Sequence, residues 1–322
     1  MVIEFLLIIV AETFAQQCYG VAFEGGGAKG AYEAGALSVL TDPSNNIFVQ
    51  YDIMTGISIG ALNTMVIGSF PVGQELQSSQ KLNEFWFGIQ NNSDLFVEWR
   101  GGIIEGVLFQ KSIYNNARAI EYFRGYFKAP QRNVVVGATN LDTGLFQNFD
   151  QSLGNAFFDA AVSSASIPGA FPPHVMEGYA FADGGCILNL DIPSAIEYCL
   201  NKTGNQRLIT IDILTDSYYQ PLPSETSFKT TSVLERIYEI IKYDSSVWYL
   251  YNSFASFPSV NFRYFIYPSK PLHGSLDFNN TSIRDNYSLG VNDTLNAIKL
   301  NSECPREAIK RSLQKSIQVI HP

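Results

Sequence analysis

Tyr51-Asp-Ile-Met-Thr-Gly-Ile-Ser-Ile-Gly-Ala-Leu-Asn63 is the stretch that decides the fold. An apolar run ends at Gly56, Ser58 follows after one residue, and Gly60 opens a run with helical character. The pattern is G-x-S-x-G on a strand, a turn and a helix. Its glycines permit a turn sharp enough to lift a serine hydroxyl clear of the backbone. The start of the following helix favours negative charge beside it. Ser58 is therefore a candidate nucleophile toward a carbonyl, with Gly56 and Gly60 as the elbow that presents it.

Upstream, Tyr19–Phe23 reads as a buried strand that runs into Glu24-Gly-Gly-Gly-Ala-Lys-Gly30, and Ala31–Leu40 as a helix. Strand, glycine loop and helix together aim backbone N–H groups at an anion. A P-loop is excluded, because Gly30 stands where Ser or Thr should follow Lys29. Gly25, Gly27 and Gly30 satisfy a dinucleotide loop, which also wants an acidic residue closing the second strand. Asp42 lies in a turn and Asp52 begins its strand; what closes that strand is Gly56-Ile-Ser58. An oxyanion hole formed by Gly25, Gly26 and Gly27 accounts for both the loop and the serine. The nucleotide alternative leaves the serine idle.

Downstream, Gln74–Trp99 reads as helix then loop, and a helix is expected around Ser112–Phe127. Asn133–Thr139 is a buried strand, turning at Asn140–Gly144 and returning through Leu145–Phe149 as a hairpin. Phe157–Ala165 is helical and stops at Ser166-Ile-Pro-Gly-Ala-Phe-Pro-Pro173. Tyr179-Ala-Phe-Ala-Asp-Gly-Gly185 holds an aspartate at a strand end, which is either a tight turn or a carboxylate near the serine. Ser58 needs a base. His174 follows a Pro-Pro corner, His321 is near the last residue, and His273 in a Pro-Leu-His-Gly loop could close a Ser-Asp-His triad. An aspartate serves directly if burial brings its pKa toward the working pH.

The chain has 322 residues, 46% of them hydrophobic, with a formal net charge of -9. The acidic balance and the lack of a basic cluster exclude a nucleic-acid partner. Three scattered histidines and four separated cysteines suggest no metal site and no cofactor. Residues 1–15 carry a short apolar run ending in Thr13-Phe-Ala15, which reads as a signal peptide; an apolar first element of the fold is the alternative. N-x-S/T triplets at Asn91, Asn201, Asn279, Asn280, Asn286 and Asn292 would be glycosylation acceptors in a secreted chain. Cys18, Cys186, Cys199 and Cys304 allow disulfides in an oxidising lumen, with no pairing readable from spacing. The location expected is secreted or lumenal, the alternative being cytoplasmic and membrane-associated.

Four blocks in order resemble the patatin-like phospholipases: Gly25–Gly30 continuing to Gly35-Ala-Leu37, Gly56–Gly60 continuing to Asn63, Ser163–Pro173, and Asp183-Gly-Gly185. Ala138–Gly144 is similar to a further family segment, so the likeness covers roughly residues 18 to 215. It implies a three-layer α/β/α patatin-like fold with a mostly parallel central sheet. The sequence shows no internal repeat and no flexible linker, so residues 16–322 read as one domain. The likeness also implies a Ser–Asp dyad without histidine: Ser58 as nucleophile, Asp183 as base, the Gly25–Gly27 amides as oxyanion hole. By the same likeness the reaction is calcium-independent cleavage of acyl esters in phospholipids or related lipids, met at a membrane or micelle interface. Lys29 stands where the family more often has arginine. Ile57 and Ile59 are bulkier than the usual flanking residues, and Ile59 is expected to narrow the acyl pocket. A lipid-binding or storage protein that never acylates Ser58 is the rival of a different class. The aromatic run in the expected helix Ser232–Phe254 is either core packing or a lipid-facing lid.

Overall fold

In the chain's first half the strands are buried on both faces and the helices that follow them are buried almost all round, as a parallel sheet covered on both sides requires. The computed structural model describes residues 16–47, 49–217 and 230–299. The segment 1–15, Cys304 and His321 lie outside the described residues. β1 (Cys18–Phe23) leads through the glycine loop to α1 (Gly30–Leu40). β2 (Ile53–Ile57) leads through the elbow to α2 (Ile59–Gly68), followed by α3 (Glu75–Gly88). An excursion then runs through β3 (Val97–Glu98), α4 (Gly102–Phe109) and β4 (Tyr114–Asn115) into α5 (Ala117–Tyr126). The helix expected around Ser112–Phe127 is thus shorter. Its first residues pair Tyr114 with Glu98, and Asn115 Oδ1 accepts the Ala117 N–H, which delays the helix start.

β5 (Asn133–Asn140) and β6 (Phe146–Asp150) form the expected hairpin, with Val136 opposite Phe149. α6 (Phe157–Ser164), β7 (His174–Met176) and β8 (Tyr179–Asp183) follow. α7 (Ile192–Thr203), capped by Asp191 and closed by left-handed Gly204, leads to β9 (Ile209–Leu214). α8 (Thr230–Ser256), β10 (Asn261–Ile266) and α9 (Asn280–Lys299) complete the described elements.

The main sheet runs β10-β9-β1-β2-β5-β8-β7, with β6 also on β5. β10, β9, β1, β2 and β5 are mutually parallel; β6, β7 and β8 are antiparallel additions. Alternation along the strands separates two buried layers. Val21, Phe23, Met54, Val134 and Val136 pack with α1, α2, α3 and α6 on one face. Ala22, Ile53, Ile209, Ile211 and Ile213 pack under α7 and α8 on the other. Cys18 of β1 is bonded to Cys199 of α7, and Cys186 is a free, half-buried thiol. β1 and β2 are neighbours in register (Phe23 opposite Gly56), so the glycine loop and the serine elbow emerge side by side. No described helix is long and apolar enough to cross a membrane.

Candidate active site

Between β2, ending at Ile57, and α2, beginning at Ile59, the turn is a single residue, Ser58. Its backbone stands at φ 54°, ψ −121°, a left-handed conformation that costs a non-glycine about 1–3 kcal/mol. The surroundings enforce it. A Cβ on Gly60 would come within 2.6 Å of the Glu24 carbonyl oxygen, and one on Gly56 within 2.1 Å of the Gly60 carbonyl oxygen. α2 therefore starts against the backbone at the end of β1, closer than any side chain allows. Ser164 of α6 ties the elbow down: its hydroxyl accepts the Ser58 N–H at 2.9 Å and donates to the Gly137 carbonyl at 2.6 Å.

The Ser58 hydroxyl donates to Asp183 Oδ2 at 2.5 Å, and both residues are buried. Asp183 closes β8, where the Gly185 N–H donates to its Oδ1 at 2.8 Å. Its main chain is held as well, the N–H on the Ser166 carbonyl and the carbonyl under the Thr139 hydroxyl. Burial raises the Asp183 carboxyl above the usual carboxylate range. Hydrogen bonds from Ser58 and Gly185 oppose that rise, followed by the Lys242 charge and the nearby Tyr238 hydroxyl. A carboxylate so perturbed, bonded to a serine hydroxyl, is chemically suited to accept its proton.

The two described histidines are elsewhere. His273 Nε2 lies 3.2 Å from Asp285 on an exposed loop, and His174 Nε2 lies 3.1 Å from Asp159. Neither is hydrogen-bonded to Ser58 or Asp183. Among the described residues no group of three or more His, Cys, Asp or Glu could hold a metal ion.

The glycine loop departs from expectation in one respect. The Gly25 N–H donates to the Asn189 carbonyl at 3.1 Å, so it is not available to an oxyanion. The Gly26 and Gly27 N–H groups make no hydrogen bond among the described residues, and Gly27 shares a cleft with Ser58. Gly27 has φ 64°, and a Cβ there would lie 2.1 Å from the Ser275 carbonyl oxygen. A buried polar layer supports the loop. Glu24 accepts the Asp216 and Ser217 N–H groups, Glu33 accepts the Glu24 N–H, and Lys29 pairs with Glu239 at 2.8 Å. Burial, helped by the Glu24 charge, pushes Asp216 up to about 7. Lys242 Nζ reaches the Gly25 carbonyl at 3.3 Å.

Ser58 opens onto an apolar cleft lined by Leu62, Phe96, Phe123, Val162, Phe171 and Phe278, with Asn116 as a polar exception. Ile59 lines the same cleft beside the serine, whereas Ile57 packs toward Gly184. Such a lining suits an aliphatic chain and leaves few groups to hydrogen-bond a polar one.

The family model for patatin-like phospholipase matches residues 21–196, more than half of the chain. The match spans the glycine loop, the elbow and Asp183. The chain belongs to the patatin-like phospholipase family. As a member of that family it is a lipid ester hydrolase, and its mostly parallel sheet between helical layers accords with the patatin-like fold. Among solved structures it is similar to VipD from Legionella pneumophila, at 12% identity over 87% of this chain and 67% of VipD, with a TM-score of 0.36. No curated protein sequence matches it.

Three participants in this patatin-like site carry no local signal. Lys242 and Tyr238 sit on α8, whose sequence marks only a long aromatic-rich helix. Ser164 lies in a segment that the family resemblance marks without assigning it any chemistry. Of the N-x-S/T asparagines, Asn286 is buried and its Oδ1 accepts the His273 N–H, so it is closed to a glycan in the folded chain. Asn280, Asn286 and Asn292 lie on α9 and not on loops.

Proposed function

We propose that this chain is a phospholipase A-type serine hydrolase that works through an acyl-Ser58 intermediate with Asp183 as its base. The observation that carries the proposal is the 2.5 Å hydrogen bond from the strained Ser58 to buried Asp183 at the wall of an apolar cleft. Asp183 takes the hydroxyl proton as Ser58 Oγ attacks the ester carbonyl. The oxyanion that develops is held by the Gly26 and Gly27 N–H groups, in a site already organised for it. Collapse of the tetrahedral species expels the lysolipid alcohol, which takes the proton from Asp183. Water then attacks the acyl-enzyme and passes a proton to Asp183, and Ser58 Oγ recovers that proton as the fatty acid leaves. The cleft holds the acyl chain, with Ile59 setting its width near the reacting carbon.

The substrate is an acyl-ester lipid presented at a membrane or micelle surface. The Cys18–Cys199 bond supports an oxidising compartment, hence a secreted or lumenal chain, with exposed Asn91, Asn201, Asn279 and Asn292 open to glycosylation. Residues 16–322 are read as one domain.

The test is labelling by a fluorophosphonate probe, paired with fatty-acid release from a phospholipid. Wild type should label and hydrolyse, Ser58→Ala should do neither, Asp183→Asn should be severely slowed, and His273→Ala should match wild type. Absence of labelling in folded wild type would refute the hydrolase proposal in favour of lipid binding without turnover. Loss of labelling in His273→Ala would restore the triad.

A further inference from the structure

α4 is an eight-residue helix with an unusual distribution of side chains. Ile103, Ile104, Val107 and Leu108 repeat at helical spacing on one side, and Phe109 follows; all five are 41 to 78% exposed. The opposite side is seated on the fold through Gly106, where a Cβ would come 2.7 Å from the Ile113 carbonyl oxygen. The single charge on the helix, Glu105, is turned onto backbone and neighbour: its carboxylate accepts the Gly101 N–H and the Gln110 amide. Exposed Arg100 and Lys111 flank the apolar side at its two ends. Trp99 beside them is anchored through its indole N–H to the Ser112 carbonyl.

A large apolar face on so short a helix is not needed for packing, because the core is closed without it. Its place in the fold indicates what covers it. The two arms that carry α4 are continuous with the cleft: Phe96 precedes β3 and Asn116 follows β4, and both line it. Ile113 and Tyr114 hydrogen-bond to the Gly169 and Ala170 carbonyls, immediately before Phe171, another lining residue. An apolar face bordered by cations and an indole is complementary to a bilayer surface, where aliphatic groups enter the acyl region and Arg and Lys meet phosphates.

We propose that α4 is the element by which this chain docks on a phospholipid surface, setting the cleft beside the lipids it draws from. The proposal rests on the hydrolase function proposed above for the choice of partner, and its test is built to be independent of catalysis. In a Ser58→Ala background, co-sedimentation with phosphatidylcholine vesicles is compared with and without Ile104→Glu/Leu108→Glu. Both positions are exposed, neither lines the cleft, and circular dichroism and thermal melting check the fold. The Ser58→Ala parent should partition onto vesicles. The double substitution should weaken partitioning by about tenfold per residue, the amount expected for denying each aliphatic group its burial. With Ser58 intact, the same double substitution should leave turnover of a soluble short-chain ester unchanged and slow hydrolysis of vesicle lipid.

Equal partitioning of parent and double variant, or no partitioning by the parent, overturns the proposal. So does a concentration-dependent dimer that the double substitution dissolves while vesicle binding persists, since the face would then belong to a second copy. If vesicle binding requires α4 but no variant turns over ester or labels at Ser58, docking stands and the hydrolase proposal fails.

Discussion

Ser164→Ala is the substitution that most directly probes how the elbow is held. The wild-type hydroxyl accepts the buried Ser58 N–H at 2.9 Å and donates to the Gly137 carbonyl at 2.6 Å. Removing it leaves the Ser58 N–H buried without a partner, a loss of about 1–3 kcal/mol. The Gly137 carbonyl also loses a donor, so the upper half of that range is expected. The elbow stores strain of a similar size at φ 54°. Once its tie is cut, relaxation of that strain carries Ser58 Oγ away from Asp183. Urea denaturation should therefore show a lower midpoint with an unchanged slope, and fluorophosphonate labelling should slow at least tenfold under conditions where the variant is folded. A variant within about 0.5 kcal/mol of wild type that labels at the wild-type rate would refute the reasoning.

Three further outcomes follow from the same geometry. Under the proposed mechanism ionised Asp183 is the active form, and its pKa is raised chiefly by burial, so the acid limb of turnover should lie above the usual carboxylate range. Lys242→Met removes a charge that favours the carboxylate and should move that limb to higher pH; an unmoved limb in the pH profile of a soluble ester argues against the contact. Asp216 is raised to about 7 in the folded chain, so the native state binds the extra proton and stability should fall as pH rises from about 4 to about 7. Asp216→Asn lacks that loss, so its advantage in urea melts should grow over the same window and level off above it. A constant difference from pH 4 to 8 would contradict this. Cys18→Ser/Cys199→Ser opens a link between residues 181 apart in sequence and should cost roughly 2–4 kcal/mol in a denaturant melt. No change in stability would mean that the bond does not form in the protein.

Local chemistry was legible where it is written in consecutive residues. A glycine two residues either side of Ser58 dictates a tight strand–turn–helix, because the close approaches at Gly56 and Gly60 admit no side chain. Asp183 before two glycines reads as a strand-end carboxylate for a similar reason: its cap to the Gly185 N–H is formed two residues away. α4 was not read, since its apolar face has no core to pack against and its neighbours at Ser112–Asn116 look like the start of the next helix.

The sequence by itself determined a parallel-sheet scaffold, a serine on a strained turn, a carboxylate at a strand end and a glycine loop able to offer amides. Only the tertiary structure decided which amides are free. The Gly25 N–H is taken by the carbonyl of Asn189, far along the chain, while those of Gly26 and Gly27 make no hydrogen bond among the described residues, and Gly27 lines the cleft. It likewise set Lys242 and Tyr238 of α8 near Asp183, and Ser164 under Ser58. Turns and caps depend on neighbours a few residues away, so short motifs record them. Hydrogen-bond satisfaction and the balance of burial against charge depend on partners that meet only when the layers close, and no local pattern encodes those meetings.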